Sequence, residues 1–275
     1  MLRTNKNNIF LIIASFIPII SIIFGFILNE DLSTGGSSWD FQLTWPVIVN
    51  YADFNFSGSA EYTRHVPLHY VLLSFIFNLF DSQYLVRVFY LFFSLLLPLF
   101  VYLNLIKIYN FDKLPIFLFS CSLLFLPLFR ASAIWPNAHL TAVIFLCISN
   151  YFYVQAVNKK NFHYKYLNLL FLAFATYTMQ TYVVLFAYYL SCYFLSLNTS
   201  RFIKLFIFCC LLGLPGLYFI TLNQRIADII ITRDLFYTLI TNFSIMFLYL
   251  SFFFINKKTI ILIVDGFVII KKIDF

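Results

Sequence analysis

Long runs of apolar residues follow one another along the chain and are separated by short polar breaks. The runs are continuous rather than alternating, which predicts membrane-spanning helices and argues against a transmembrane barrel. The pattern therefore predicts an all-α polytopic membrane protein with about eight transmembrane helices. The predicted spans are Ile9–Leu28, Tyr84–Ile106, Leu114–Ile134, His139–Val157, Tyr166–Met179, Thr181–Leu197, Phe202–Leu222 and Leu235–Ile255. The fifth and sixth are short and meet at a polar break over Thr178–Thr181, so we expect two half-length or tilted helices there.

The longest polar break is the segment Asn29–His65, which directly follows the first predicted span. Charged residues are scarce elsewhere in the chain because charge is costly inside a bilayer, so a carboxylate-rich loop beside a span predicts a functional site. We expect this segment to form most of a helical first loop over residues 29–83. Its ionisable residues are Glu30, Asp31, Asp40, Asp53, Glu61, Arg64 and His65.

The segment His65–Phe80 decides the predicted topology. It is apolar but short for a span. If it crossed the membrane, the lysines of all later loops would face outward, against the positive-inside rule. If it is re-entrant or interfacial, those lysines are cytoplasmic, together with Arg3 and Lys6 at the N-terminus. We therefore predict a re-entrant or interfacial helix, a cytoplasmic N-terminus and an extracytoplasmic first loop.

The arginines are distributed between the two sides of the membrane differently from the lysines. On the predicted topology, several arginines lie on the acidic, extracytoplasmic side. One explanation is snorkelling of long side chains to the interface. The other is that their planar donor groups bind phosphate, and both explanations stay open for Arg64 and Arg130, which lie near the first loop. The extracytoplasmic arginines are Arg64, Arg87, Arg130, Arg225 and Arg233.

Composition excludes a soluble globular protein. The chain is 62% hydrophobic and 11% charged, with a mean hydropathy of +0.90, and a soluble domain cannot bury that much apolar surface. Its five cysteines lie within apolar runs and predict neither disulfides nor metal ligation. We expect one membrane module over residues 1–258, with residues 259–275 as a short tail that is interfacial or truncated, and no nucleic-acid partner.

Asp40 is the first candidate for chemistry. Apolar residues recur at helical spacing after it, which predicts an amphipathic helix on the membrane surface, starting late or kinked at Pro46. Asp40 then has two interpretations: an N-cap of this helix, or a catalytic base at the boundary between water and lipid. The recurring apolar residues are Leu43, Val47, Ile48 and Tyr51.

Two further stretches carry polar groups. His65 and His69 are four residues apart, which is a metal-ligand spacing, but the sequence specifies no third ligand, and hydrogen bonding at the mouth of a site is the other interpretation of His65. A second polar turn holds Arg130, Asn137 and His139 between two spans. The predicted topology returns this turn to the side of the first loop, where its side chains would face Asp40.

Together these stretches resemble the GT-C superfamily of membrane glycosyltransferases, which includes protein O-mannosyltransferases and lipid A aminoarabinose transferases. Asp40 matches the acid of the family's first loop, with the pair Glu30 and Asp31 as a rival. The segment from His65 to Tyr70 matches the His-x-Pro-Leu-x-Tyr-like element. Arg87 matches an arginine at the start of the next helix, and the turn from Arg130 to His139 occupies the second-loop position, with Asn137 where an acid often stands.

The resemblance implies a glycosyltransferase of the bacterial inner membrane with an extracytoplasmic active site. It would transfer a sugar from a polyprenyl-phosphate donor to a hydroxyl of a lipid or glycan acceptor in cell-envelope synthesis. Asp40 would act as the general base, and no cofactor is expected, with a divalent metal as the alternative. The residues implied in substrate and phosphate binding are Arg64, His65, His69, Arg87, Arg130, Asn137 and His139.

Two other functions remain open from the sequence. A transporter or flippase of lipid-linked saccharides would place polar groups at mid-membrane, where the predicted spans are mostly apolar. A polymerase or ligase of lipid-linked saccharides would use the same lipid phosphate but would not need the loop acid.

Overall fold

A computed structural model describes residues 16–55, 67–109, 113–159 and 161–222, with side chains described up to residue 219. All regular structure in these residues is helical, with short 3-10 turns at Leu123–Phe125 and Gln180–Val183. The helices are α1 Phe16–Ile27, α2 Gly36–Ala52, α3 Leu68–Phe80, α4 Gln83–Ser94, α5 Leu96–Ile108, α6 Lys113–Ser122, α7 Pro127–Ile134, α8 Ala138–Lys159, α9 His163–Thr176, α10 Val184–Ser196 and α11 Thr199–Leu222.

The chain divides into two compact units, Met1–Leu222 and Asn223–Phe275. The described helices belong to the first unit. The last predicted span, the tail over 259–275 and the predicted module boundary at residue 258 lie outside the described residues, as do Arg225 and Arg233.

Three helical stretches among the described residues are long and apolar enough to cross a bilayer: Gln83–Ile108, Ala138–Lys159 and Thr199–Phe219. The pair Lys113–Phe125 and Pro127–Ile134, bent by 63°, forms a fourth if it is one broken crossing. These stretches agree with four of the predicted spans. The structure thus confirms an all-helical chain with several candidate membrane spans, while the total of about eight stays a prediction.

The predicted polar break between the fifth and sixth spans is present. α9 ends at Thr176 and α10 begins at Val184, after the 3-10 turn. The two helices have 14 and 13 residues, fewer than the roughly 20 of a straight crossing. They are therefore half-length elements, as the sequence indicates.

α2 begins at Gly36 and runs through Pro46 to Ala52. The late start expected from Pro46 is wrong, because hydrogen bonds to the side chains of Asp31 and Ser33, which precede the helix, stabilise its first turn. Three of the four recurring apolar residues, Val47, Ile48 and Tyr51, are buried within the protein, and Leu43 is exposed. The placement of α2 on the membrane surface stays a prediction.

α3 begins directly after Pro67 and has 13 residues. At 1.5 Å per residue such a helix is about 20 Å long, which is short of the hydrocarbon core of about 30 Å. α3 packs against α2, and Asn78 donates a hydrogen bond to the carbonyl of Ala52 at 3.0 Å. The length agrees with the prediction of a helix that does not cross.

Contacts between α1, α4 and α7 support this arrangement. Asn29, just after α1, accepts a hydrogen bond from Arg87 near the start of α4. Arg87 in turn donates to the carbonyl of Ile134 at the end of α7. The end of α1, the start of α4 and the end of α7 therefore lie at the same end of the helix bundle. This proximity agrees with the prediction that the chain between α1 and α4 adds no net crossing.

α8 lies at the centre of the described bundle, with α5 and α9 packed against it. Buried hydrogen bonds fix these contacts. Asn168 on α9 donates to the carbonyl of Ser149 on α8 at 3.0 Å and accepts from the Tyr193 hydroxyl on α10 at 2.9 Å. Asn104 on α5 donates to the carbonyl of Cys147 at 2.9 Å. Inside a bilayer, polar groups that satisfy one another in this way fix the alignment of neighbouring helices.

The Tyr193 hydroxyl predicts a measurable contribution to stability. In Tyr193→Phe the buried Asn168 loses a hydrogen-bond donor, so we expect the free energy of unfolding to fall by about 1 kcal/mol. Tyr84→Phe is the matched control, because Tyr84 is exposed and its ring is kept. Unfolding of both purified variants in detergent checks this; equal midpoints would contradict it.

The arrangement of α3 predicts which residues face each side of the membrane. In a background without the native cysteines, a cysteine at Ser82 should react with an impermeant maleimide on intact cells. On the predicted topology, the chain crosses the membrane at α4–α5, at α6–α7 and at α8 between Ser82 and Lys159. A cysteine at Lys159 should therefore react only after permeabilisation. Labelling of the Ser82 position only from the cytoplasm would overturn the predicted topology.

Candidate active site

A cavity of about 610 Å³ opens between the start of α2 on one wall and α7 with the start of α8 on the other. Asp40 and His139 are exposed there and Asn137 is half-buried. One part of the lining is polar and the other is apolar. The polar side chains are Ser33, Ser37, Asp40, Ser132, Asn137 and His139, and the apolar ones include Leu97, Leu123, Leu126, Leu128, Leu140 and Val143.

Asp31 and Ser33 hold the first turn of α2 in place. The carboxylate of Asp31 accepts hydrogen bonds from the backbone N–H groups of Ser33 at 3.0 Å and Ser38 at 2.7 Å. The hydroxyl oxygen of Ser33 accepts from the N–H of Ser37 at 2.7 Å. Burial acts to raise the pKa of Asp31, but the hydrogen bonds from Ser33 and Ser38 outweigh it and the pKa is lowered.

This capping rules out one of the two interpretations of Asp40, the N-cap. The capping oxygens come from Asp31 and Ser33, and Asp40 lies more than one turn inside the helix. Its side chain lines the cavity and accepts no hydrogen bond from the described residues. Asp40 is therefore not a cap, and its carboxylate is available to a ligand.

Glu30, the rival acid, forms an ion pair with Arg130 on α7. Arg130 Nε donates to Glu30 Oε1 at 2.9 Å, and its terminal nitrogens donate to the second Glu30 oxygen and to Ser21 Oγ and the Ser21 carbonyl on α1. Trp135 Nε1 donates to the backbone carbonyl of Glu30 at 3.1 Å. The hydrogen bonds from Arg130 hold the pKa of Glu30 below its usual value, so Glu30 is a bound anion rather than a base.

Gly25 leaves the space that the ion pair occupies. A Cβ atom at this position would lie 2.6 Å from Arg130 Nη2 and even closer to the Glu30 carboxylate. Any other residue would push the two side chains apart. The glycine in the first span is thus explained by the close approach of charged side chains to the helix backbone.

Arg87 is buried beside the same ion pair. Its Nη1 donates to Asn29 Oδ1 at 3.0 Å, and its Nε donates to the Ile134 carbonyl at 3.1 Å. The guanidinium carbon lies 3.7 Å from the ring centroid of Trp135 and 5.0 Å from that of Phe26. Its Nη2 is shielded from solvent and has no hydrogen-bond partner among the described residues. Aromatic faces, rather than a carboxylate, stabilise this buried cation.

Asn137 has a structural role as well as a place on the cavity wall. Its Oδ1 accepts a hydrogen bond from the backbone N–H of His139 at 2.9 Å, which caps the start of α8. Its backbone carbonyl accepts from the Tyr90 hydroxyl at 2.7 Å. The amide NH₂ is then the group that Asn137 can offer as a donor to a ligand.

His69 belongs to a buried hydrogen-bond chain and not to the cavity lining. Its Nδ1 lies 2.8 Å from Thr141 Oγ1, which lies 2.9 Å from the Tyr90 hydroxyl. Since Tyr90 also binds the Asn137 carbonyl, this chain links α3 to the base of the second polar turn. Histidine here fixes three helices rather than the mouth of the site.

The structure therefore brings together Asp40, Asn137 and His139 and places the other predicted residues elsewhere. Arg87 and Arg130 pack behind the cavity walls, and His69 is buried behind the second turn. Arg64 and His65 lie outside the described residues. Within the described residues no three His, Cys, Asp or Glu side chains are grouped so that they could hold a metal ion.

Sequence reasoning missed the partners of these groups. Asp31 followed by Ser33 before a helix is a recognisable N-cap pattern, so the sequence contained a signal for the capping role of Asp31. The pairing of Glu30 with Arg130 was not, because the two residues are 100 positions apart. Tyr90 and Thr141 gave no signal within their apolar runs.

The space beside Gly25 predicts a specific sensitivity. Gly25→Ala should lower thermal stability because its methyl group displaces the Arg130 and Glu30 side chains. Gly213→Ala is the matched control: it also adds a methyl group within a helix, and a Cβ atom there meets nothing within 4 Å, so it should be neutral or stabilising. Differential scanning fluorimetry checks both variants, and equal shifts would contradict the crowding at Gly25.

No protein-family model matches the chain, and no curated protein and no solved structure is significantly similar to it. The resemblance to the GT-C superfamily therefore depends on the short stretches around Asp40, His65 and Arg130. Because a fold does not determine a function, the function is argued below from the geometry of the cavity.

Proposed function

We propose that this chain is a membrane glycosyltransferase that transfers a sugar from a polyprenyl-phosphate donor to an acceptor hydroxyl at the extracytoplasmic face. The observation that carries the proposal is the state of the acids in the first loop. Glu30 is neutralised by Arg130 and Asp31 caps α2, whereas the carboxylate of Asp40 lines the cavity without a hydrogen-bond donor among the described residues.

The mixed lining of the cavity supports a lipid-borne substrate. Leucine side chains from the bend between α6 and α7 form the apolar part, and serine, asparagine and histidine side chains form the polar part. Such a cavity suits a ligand with a hydrocarbon chain at one end and a polar head at the other. A soluble nucleotide sugar has no hydrocarbon chain that could contact the apolar part of the lining.

The proposed reaction uses Asp40 as the general base. Its carboxylate accepts the proton of the acceptor hydroxyl while that oxygen attacks the anomeric carbon of the donor sugar. The bond between that carbon and the phosphate oxygen breaks, and polyprenyl phosphate leaves with the electron pair. Asn137 and His139 offer donors to the phosphate as its charge develops.

The other two functions fit the site less well. A transporter places unpaired polar groups along a path through the membrane, whereas the buried polar side chains Asn104, Asn168 and Tyr193 are bound to one another or to backbone carbonyls of neighbouring helices. A polymerase or ligase needs no acid in the cavity. The carboxylate of Asp40, which no described residue engages, therefore favours the transferase.

The substitution Asp40→Asn tests the proposal. Loss of the base should reduce sugar transfer by about 100- to 10,000-fold, measured as label moved from polyprenyl-phosphate sugars to acceptor in membranes that contain the protein. Asp53→Asn is the control, because Asp53 is an exposed carboxylate at the end of α2 that does not line the cavity. Transfer that survives in Asp40→Asn would favour the polymerase or ligase instead.

A further inference from the structure

We infer that Arg87 and Arg130 are positioning residues that hold the two walls of the cavity at a fixed separation, and that neither contacts the substrate phosphate. The inference concerns the cavity of the proposed transferase and is otherwise independent of the reaction. The group formed by Arg87, Arg130, Glu30 and Trp135 is called the arginine cluster below.

The donor groups of Arg130 are already engaged. Nε and Nη2 bind the two carboxylate oxygens of Glu30, Nη1 binds Ser21 Oγ, and Nη2 also reaches the Ser21 carbonyl at 3.2 Å. Its positive charge is balanced by the Glu30 carboxylate. A phosphate would have to replace a half-buried carboxylate that already forms a two-pronged contact with the guanidinium.

Arg87 is closed to a ligand for a different reason. Its free nitrogen, Nη2, is shielded from solvent, and its flat face lies 3.7 Å from the ring centroid of Trp135. Nε and Nη1 are bound to Ile134 and Asn29. A ligand cannot reach this side chain unless Trp135 or α1 moves.

The arginine cluster joins the two walls directly. Glu30 immediately precedes the capping turn that leads into the wall formed by Ser33, Ser37 and Asp40, and Arg130 lies between cavity-lining residues of α7. The contact from Arg130 to Glu30 is therefore a link between the segments that carry the two walls.

Arg87 and Trp135 add parallel links. Arg87 joins Asn29, which precedes the first wall in the chain, to Ile134, at the end of α7. The Trp135 indole N–H, one residue further along, donates to the carbonyl of Glu30. Consecutive residues of the first loop are thus tied to consecutive residues of the second turn. This arrangement fixes how far Asp40 lies from Asn137 and His139.

Cross-linking across the cavity tests the inference without any need for turnover. Cysteines at Ser37 and His139 lie on opposite walls and can be joined by bifunctional methanethiosulfonates of graded length, with cross-linked peptides quantified by mass spectrometry. The full-length protein in detergent is used, in a background with the native cysteines replaced. Those cysteines are Cys121, Cys147, Cys192, Cys209 and Cys210.

With an intact arginine cluster, the cross-linking yield should show one preferred linker length. Glu30→Gln and Arg130→Gln should lose that preference and shift the yield to longer linkers, and Arg130→Lys, which keeps the charge opposite Glu30, should restore it in part. Arg201→Gln removes an exposed cation on α11 and should leave the profile unchanged.

An unchanged profile in folded Glu30→Gln and Arg130→Gln would overturn the inference. If those variants fail to fold, Gly25→Ala keeps both charges and crowds the pair, and an unchanged profile there overturns it equally. The two proposals fail separately. Transfer that survives in Asp40→Asn counts against the transferase alone, whereas a linker preference that survives these substitutions counts against the positioning role alone.

Discussion

The ion pair between Glu30 and Arg130 is the interaction on which the rest of the described site depends. Arg130 is buried in α7 and Glu30 is half-buried beside it, so removing Glu30 leaves a buried charge uncompensated. The pair is not a simple source of stability, because desolvation offsets much of the attraction. Its effect is geometric: it requires Gly25 at the contact with α1 and brings α7 against the first loop.

The ion pair also explains why the acids of the first loop differ in their availability to a substrate. A carboxylate that accepts charge-assisted hydrogen bonds from an arginine is held as an anion and shielded from a substrate hydroxyl. A carboxylate that accepts backbone N–H bonds at a helix start is equally committed. Glu30 is engaged in the first way by Arg130, and Asp31 is engaged in the second way at the start of α2. No described residue engages the carboxylate of Asp40. The assignment of Asp40 thus follows from the occupancy of its neighbours and not from its residue type.

Hydropathy predicted the helices well because backbone groups in a bilayer must be satisfied within the segment, which leaves the helix as the simplest solution for a long apolar run. Polar residues near Thr178 added the break between α9 and α10. Neither kind of signal contains information on distant pairs. The sequence leaves snorkelling and phosphate binding open for the arginines near the first loop, whereas the structure shows Arg130 paired with Glu30 and Arg87 stacked on Trp135. Only the tertiary structure distinguishes these uses of the same side chain.

The engagement of both arginines changes what the proposed transferase requires. A polyprenyl phosphate that enters the cavity brings its negative charge near Asp40, and two like charges in a poorly screened site repel each other. Among the described lining residues, His139 is the basic side chain. Arg64, which the sequence predicts to bind phosphate, lies outside the described residues, and its role stays a prediction. If Arg87 and Arg130 hold the walls as proposed, the donors that the described lining offers to a phosphate include those of Asn137 and His139.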